Sequence, residues 1–113
     1  MKRGEIYFAH LKENLGNIQA GIRPVVVVQN NIGNHFSPTT IVCCITAASK
    51  KDLPTHLQIN TSGGLYKNST ILCEQITTIN KSDFISYVGR ITDPDTLEKL
   101  DNCILISLGL NKE

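Results

Sequence analysis

Three polar side chains at the ends of apolar runs are the best candidates for chemistry in this sequence. Arg23 stands before Pro-Val-Val-Val-Val, Thr46 closes the run 40–46, and Gln75 closes the run 69–75. A guanidinium beside so apolar a segment needs solvent, a carboxylate or an anionic ligand, because burying an unpaired charge is costly. If the three runs are neighbouring strands, these three residues meet at one rim of the fold.

Such a rim suits a phosphodiester substrate. The guanidinium of Arg23 presents donors that match phosphate oxygens, and the Thr46 hydroxyl can donate to a developing oxyanion. In RNA the 2′-hydroxyl is itself the nucleophile, so the protein needs only to position, stabilise charge and transfer protons. Side-chain amides can read the edges of unpaired bases. Polar residues expected in or near the rim are Gln19, Asn30, Ser37, His56 and Gln75.

Each of these residues also has a purely structural explanation. Arginines at strand ends usually pair with a surface carboxylate or lie in solvent. Thr46 fits any strand as a β-branched residue, and His56 after Pro-Thr fits a half-buried structural position. The residue types alone therefore leave the structural and the catalytic interpretation open.

The elements that must position these residues are short strands separated by turns. β-branched apolar runs favour buried strands, and alternating patterns favour half-exposed ones. Proline is tolerated at the first residue of a strand, and we expect Pro24 there. Besides the valine strand within 21–30, which Arg23 and Pro24 open, the predicted strands are 5–10, 40–46, 55–60, 69–75 and 86–91. Between them we predict loops at 11–21 and 47–54, turns at 30–34 and 63–64, and one helical turn at 80–86.

The last predicted element is a helix that starts after Asp93. Asp93 is a good N-cap, Pro94 fits the first helical position, and Gly109 ends the helix. Its apolar stripe comprises Leu97, Leu100, Ile104 and Leu108. Together these elements predict a mainly β fold: a small, SH3-like, strongly bent antiparallel barrel with a C-terminal α-helix packed on it.

Composition limits the function classes further. The 113 residues, 41% of them hydrophobic and 19% charged, predict one domain spanning residues 1–113. A net charge of +1 offers no global attraction for nucleic acid, so such binding needs a local patch. No apolar segment resembles a signal peptide or a membrane span, which predicts a cytoplasmic protein. The four cysteines lack metal-ligand spacing and lie among aliphatic residues, which favours buried free thiols.

A series of short motifs, in order along nearly the whole chain, resembles the MazF/PemK-like toxin family. They start with Lys-Arg-Gly-Glu-Ile-Tyr at 2–7 and Gly-Ile-Arg-Pro-Val-Val-Val at 21–27. Gln-Asn at 29–30, Gly-Asn at 33–34 and Ser-Pro-Thr at 37–39 follow. The remaining motifs are Ile45-Thr46, Leu-Pro-Thr-His at 53–56, Ser69, Glu-Gln-Ile at 74–76, Thr78-Ile79 and Ile-Ser-Leu-Gly-Leu at 106–110.

The resemblance implies a toxin of a type II toxin–antitoxin module that works as a homodimer. Such toxins are metal-independent endoribonucleases that cut single-stranded RNA, mainly mRNA, and leave a 2′,3′-cyclic phosphate and a 5′-hydroxyl. A MazE-like antitoxin blocks the RNA groove. No cofactor and no metal are implied. The family's catalytic positions fall on Arg23 and Thr46, its loop and strand-end glutamines fall on Gln19 and Gln75, and Thr78 joins the expected RNA contacts.

Four residues depart from the family pattern. Thr77 stands where an arginine is frequent, Ile18 where an acidic residue is frequent, and Asn31 and His10 where aspartates are frequent. We expect a changed RNA contact near Thr77. Two alternatives remain: a non-enzymatic toxin of the same fold that inhibits a protein such as DNA gyrase, and a barrel that binds RNA without cutting it.

Overall fold

The computed structural model describes residues 1–12, 20–47, 52–60, 64–65 and 67–111. Six antiparallel strands form one sheet in the order β4-β5-β3-β2-β1-β6. The strands are β1 (Glu5–Leu11), β2 (Gly21–Val27), β3 (Thr39–Thr46), β4 (His56–Ile59), β5 (Ser69–Asn80) and β6 (Phe84–Arg90). The helices are α1 (Asn31–Phe36) and α2 (Pro94–Ser107), with a short 3-10 turn at Lys81–Asp83.

The valine strand β2 is buried on both faces, as predicted. Val26 lies in one hydrophobic core with Ile6, whereas Val25 and Val27 lie in a second core with Ala9. Successive side chains of a strand point to opposite faces, so β2 separates the two cores. This strand therefore gives the sheet a rigid centre.

The expected position of Pro24 at the start of its strand is wrong. Pro24 is the fourth residue of β2 and lies opposite Phe8 of β1. Pairing of β2 with β3 begins only at Val25. The missing N–H of a proline is tolerated where the neighbouring ladder has not yet started.

The C-terminal helix α2 covers the first core, as predicted. Asp93 caps it by accepting a hydrogen bond from the Thr96 N–H at 3.1 Å, and Leu100 is fully buried. Gly109, with φ of 73°, follows the helix end. Leu108 is 52% exposed, so its assignment to the apolar stripe is wrong: the helix ends at Ser107, before Leu108 can pack.

The sheet is bent but not closed, with β4 and β6 at its edges. The chain after β4 nevertheless crosses to β6: a Cβ built on Gly64 would lie 2.5 Å from the carbonyl oxygen of Val88. Leu65 and Val88 both pack against the first core. The two edges thus approach each other around one core, which fits the predicted bent-barrel description.

Strand β5 is longer than predicted. It continues past Gln75 to Asn80 instead of ending at Gln75. Cys43 of β3 pairs with Ile76, but the next residue, Cys44, pairs with Leu72. Residues 73–75 therefore form a bulge in which the chain leaves the β3 ladder, and a bulge of this kind re-aims side chains.

The predicted turn at 30–34 is instead the start of α1. The Asn30 side chain accepts a hydrogen bond from the Gly33 N–H at 2.8 Å and so caps this helix. Asn34 is buried and accepts a hydrogen bond from the Thr40 hydroxyl at 2.7 Å. The hydrogen bond between Thr40 and the buried Asn34 stabilises this polar segment as a helix. The local sequence does not reveal this bond.

The four cysteines are buried free thiols, as predicted. Cys43, Cys73 and Cys103 lie in the first core and Cys44 in the second. No helix in the described part of the chain is long and apolar enough to cross a membrane. Parts of the predicted loops at 11–21 and 47–54, and of the turn at 63–64, lie outside the described residues.

Candidate active site

Arg23 and Thr46 lie towards the same end of two neighbouring strands. The β2–β3 ladder ends where Val25 pairs with Cys44; Arg23 lies two residues before Val25, and Thr46 lies two residues after Cys44. Each is two residues from the member of this last pair on its own strand, and so is on the same face of the sheet as that residue. The structure thus brings the two predicted catalytic residues together just beyond the second core.

The Arg23 side chain is exposed and held at one point. Its Nε donates a hydrogen bond to the Ala20 carbonyl at 3.1 Å. Within the described ranges, no carboxylate lies at ion-pair distance from Arg23. A guanidinium tied by Nε keeps its two terminal nitrogens for an anion, and their fork matches two phosphate oxygens.

Thr46 is the last residue of β3, as predicted, and is only 6% exposed. It pairs with Thr70 of β5 on one side, and on the other side it lies two residues beyond the last β2–β3 pair. Burial of a β-branched side chain limits its rotamers, so the hydroxyl is held in a defined direction. That rigidity is what a donor to a developing oxyanion requires.

The bulge in β5 carries Glu74 and Gln75 to the same region. Glu74 is exposed, and its Oε2 lies 3.2 Å from Nε2 of His56, whose side chain is 8% exposed. Gln75 is half-buried. The buried His56 side chain therefore helps to hold the exposed Glu74 carboxylate in place. Glu74 is not among the site residues predicted from the sequence.

The thiol of Cys44 shows that opposite charges flank this region. The pKa of Cys44 is raised to about 11: burial is the largest cause, the Glu74 carboxylate also raises this pKa, and the Arg23 guanidinium lowers it. Glu74 and Arg23 are therefore both within electrostatic reach of one buried sulfur. The raised pKa makes the Cys44 thiol a poor nucleophile at neutral pH, so Cys44 contributes apolar surface to this region and not reactivity.

A depression of about 500 Å³ adjoins these residues and is here called the β5 depression. Its walls are residues 74–80 of β5 and 10–12 at the end of β1, completed by Thr39, Cys44 and Asp83. A second depression shares residues 10–12 and reaches Ala20 and Gly21, next to Arg23. The two form a continuous surface large enough for part of a chain-like ligand.

The structure places the predicted site residues in two groups. Towards the end of the sheet that carries Arg23 and Thr46 lie Gln75, in the bulge of β5, and His56, which contacts Glu74. Thr78 also lines the β5 depression, but it pairs with Ile41, five residues before Thr46 along β3. Gln75 is within β5 rather than at its end. Gln19 lies outside the described residues.

The expectation that Asn30 and Ser37 lie in loops beside this rim is wrong. Asn30 follows the far end of β2, and Ser37 precedes the start of β3, so both lie beyond the opposite ends of the strands that carry Arg23 and Thr46. Asn30 caps α1, and the Ser37 hydroxyl lies 2.9 Å from that of Thr39. Residues that flank the two ends of a strand lie at opposite ends of the sheet. The sequence does not show this distance, because both ends are close to the strand along the chain.

Among the described residues, no group of three His, Cys, Asp or Glu side chains is placed to hold a metal ion. The residues that the sequence analysis missed are Glu74 and Asp83 in the wall of the β5 depression, and Lys12 opposite them. Their local patterns are ordinary. Only the bulge and the bend of the sheet bring them to one surface.

Residues 2–108 match the family described as PemK-like, MazF-like toxin of type II toxin–antitoxin system. The chain is 46% identical to "Endoribonuclease EndoA" of Bacillus subtilis over 112 residues, 97% of this chain and 96% of that protein. It is 43% identical to "Endoribonuclease MazF" of Staphylococcus saprophyticus over 113 residues, 98% of this chain and 93% of that protein. The fold matches a mycobacterial endoribonuclease solved in complex with its cognate antitoxin, with a TM-score of 0.81, 25% identity and coverage of 100% of this chain and 99% of that one.

Proposed function

The chain belongs to the PemK-like, MazF-like toxins of type II toxin–antitoxin systems, and from this membership we propose that it is an endoribonuclease whose catalytic residues are Arg23 and Thr46. Its substrate is single-stranded RNA. The observation that carries the proposal is that exposed Arg23 and buried Thr46 lie just beyond the same end of the β2–β3 ladder, and that no carboxylate of the described residues is at ion-pair distance from Arg23. Two relatives at 43–46% identity that carry the name endoribonuclease support the same activity.

The proposed reaction needs no protein nucleophile. The 2′-hydroxyl loses its proton as its oxygen attacks the neighbouring phosphorus, the bond from phosphorus to the 5′-oxygen breaks, and the leaving 5′-oxygen takes up a proton. The products are a 2′,3′-cyclic phosphate and a 5′-hydroxyl. Arg23 clamps the non-bridging oxygens with its terminal nitrogens, because its guanidinium stays charged throughout. The Thr46 hydroxyl donates to the negative charge that develops on the phosphoryl oxygens.

The proposed RNA contacts follow the β5 depression. Gln75 and Thr78 line its wall and offer amide and hydroxyl groups to bases. His56 contributes through Glu74, to which it is hydrogen-bonded. RNA contacts by Gln19, Asn30 and Ser37 stay predictions, the last two at the opposite end of the β2–β3 pair.

We propose further that the toxin acts in the cytoplasm, where mRNA is found, as a homodimer. In a two-fold dimer the same surface of both copies contributes to the interface, and one RNA groove can use both copies. The proposed protein partner is a MazE-like antitoxin. The mycobacterial endoribonuclease of the same fold, solved with its cognate antitoxin, supports this partner.

Cleavage in the presence of a chelator tests the reaction. We expect the purified protein to cut a mixed pool of single-stranded transcripts in EDTA, leaving fragments with 2′,3′-cyclic phosphate and 5′-hydroxyl ends. Cleavage that EDTA abolishes would exclude the metal-independent mechanism. RNA that stays intact under all conditions would exclude the enzyme and favour a non-enzymatic toxin.

Thr77 is a place where added charge should strengthen RNA binding. Thr77 is exposed in the wall of the β5 depression, opposite Val42 of β3. We expect Thr77→Arg to raise RNA affinity and to steepen the plot of log affinity against log salt by about 0.7, the value for one added phosphate contact on a single strand. Filter binding of an RNA with a 2′-deoxy cut site, over a salt series, measures both.

Thr92→Arg is the matched control, because Thr92 is exposed just before the Asp93 cap and outside the lining of the depression. It adds the same charge without placing it in the groove. An equal salt slope for Thr77→Arg and Thr92→Arg would show that the added arginine acts only through net charge.

A further inference from the structure

We infer that Asp83 selects a base next to the phosphate that is cleaved, by accepting a hydrogen bond from an exocyclic amino group and thereby disfavouring uracil. The inference rests on the proposed function, because it assigns a specificity residue to the same groove. It concerns a residue that lies outside every motif of the family resemblance.

Strand pairing places Asp83 close to the catalytic arginine. Ala9 of β1 pairs with Arg23 on one side and with Phe84, the residue after Asp83, on the other. Two inter-strand spacings separate Phe84 from Arg23, which is about 10 Å. A nucleotide whose phosphate contacts Arg23 can therefore reach Asp83 with its own base or the adjacent one.

The Asp83 carboxylate has one oxygen available. Its Oδ2 accepts a hydrogen bond from the Asn80 N–H at 3.3 Å, which fixes the side chain at the end of β5. The other oxygen accepts no hydrogen bond and joins no ion pair from the described residues. Asp83 is half-buried and lines the β5 depression, so this oxygen belongs to a pre-oriented acceptor in its wall.

A carboxylate in an RNA groove does not serve the backbone, because it repels phosphates. Its useful partners are base edges, since Asp and Glu accept hydrogen bonds from amino groups such as N4 of cytosine. Leu11, Cys44 and Ile79 give the β5 depression apolar surface against which a base can pack. Apolar walls with few fixed polar groups are the usual form of a selective small-ligand site.

The expected preference follows from the base edges. Adenine, cytosine and guanine each carry an exocyclic amino group that can donate to Asp83. Uracil presents carbonyl oxygens beside a single N–H, so the carboxylate meets like partial charges. A mismatched polar edge of this kind is disfavoured by about 1–3 kcal/mol, which corresponds to a rate ratio of roughly 5- to 150-fold.

Mapping of cleavage sites in a pool of randomised single-stranded RNA tests the inference. For the wild-type protein we expect uridine to be depleted at one position next to the cut. Asp83→Asn keeps an acceptor for the Asn80 N–H but adds a donor, so we expect it to admit uridine at that position alone. Asp95→Asn, on the exposed side of α2, is the matched control and should keep the wild-type profile.

A second measurement needs only the wild-type protein. RNA in which the preferred base is replaced by its analogue without the exocyclic amino group should be cut about tenfold more slowly. An unchanged rate would overturn the inference, as would identical profiles for wild type and Asp83→Asn, or an even gain in affinity for all sequences from lost phosphate repulsion. A wild-type protein that cuts no RNA would overturn the proposed function and this inference together.

Discussion

Replacing Arg23 by alanine should lower the rate of RNA cleavage by about 10²–10³-fold, the loss seen when one donor to a developing oxyanion is removed. The structure gives the physical reason. Arg23 is exposed, is held through Nε by the Ala20 carbonyl, and lies with Thr46 just beyond the same end of the β2–β3 ladder. Its terminal nitrogens are the cationic donors that this position offers to a phosphate. Single-turnover cleavage of a defined RNA measures the effect.

Two further variants give this prediction its controls. Arg23→Lys keeps the charge but loses the fork and the Nε contact, so we expect an intermediate rate. Arg90→Ala removes an exposed arginine at the end of β6, opposite Glu5, and should leave the rate unchanged. Wild-type cleavage by Arg23→Ala, with an unchanged thermal midpoint, would remove Arg23 from the catalytic residues.

Leu100→Ala should lower the free energy of unfolding by about 2–5 kcal/mol, the usual range for a truncated leucine in a packed core. Leu100 is fully buried and belongs to the first core, where α2 packs against β4 and β5. A cavity at this position would remove packing contacts from both the helix and the sheet. Urea unfolding monitored by circular dichroism measures the change.

Leu105→Ala is the matched control on the same helix. Leu105 is 40% exposed, so we expect a change within about 0.5 kcal/mol, as for most surface substitutions. Equal losses for the two variants would mean that α2 does not cover the first core as described. The helix also contacts the N-terminal segment, because Asp101 of α2 forms a 2.7 Å ion pair with Arg3.

The elements predicted best are those whose signals are local. The four valines predict a strand buried on both faces, and Val25, Val26 and Val27 are completely buried. Asp93 followed by Pro94 predicts the start of α2. In both cases the residues that decide the structure are neighbours along the chain, so composition and spacing are sufficient.

The errors arise where a distant partner decides. The segment 30–34 has turn residues, but the buried Asn34 and its bond from Thr40 fold it as a helix. Strand β5 was expected to end at Gln75, but its pairing with β3 resumes at Ile76 after the bulge. A run of polar residues in a strand carries no sign that the partner strand continues beside it.

For the site, the sequence by itself determined which residue types are present: an arginine and a threonine at the ends of apolar strands, within motifs that resemble one toxin family. Only the tertiary structure decided that Arg23 and Thr46 lie beyond the same end of the β2–β3 ladder, that the bulge brings Glu74 near Cys44 of this ladder, and that Asn30 lies at the opposite end. The physical reason is that strand character depends on each residue and its neighbours. Register, bulges and bending depend on contacts between strands that are tens of residues apart in the chain.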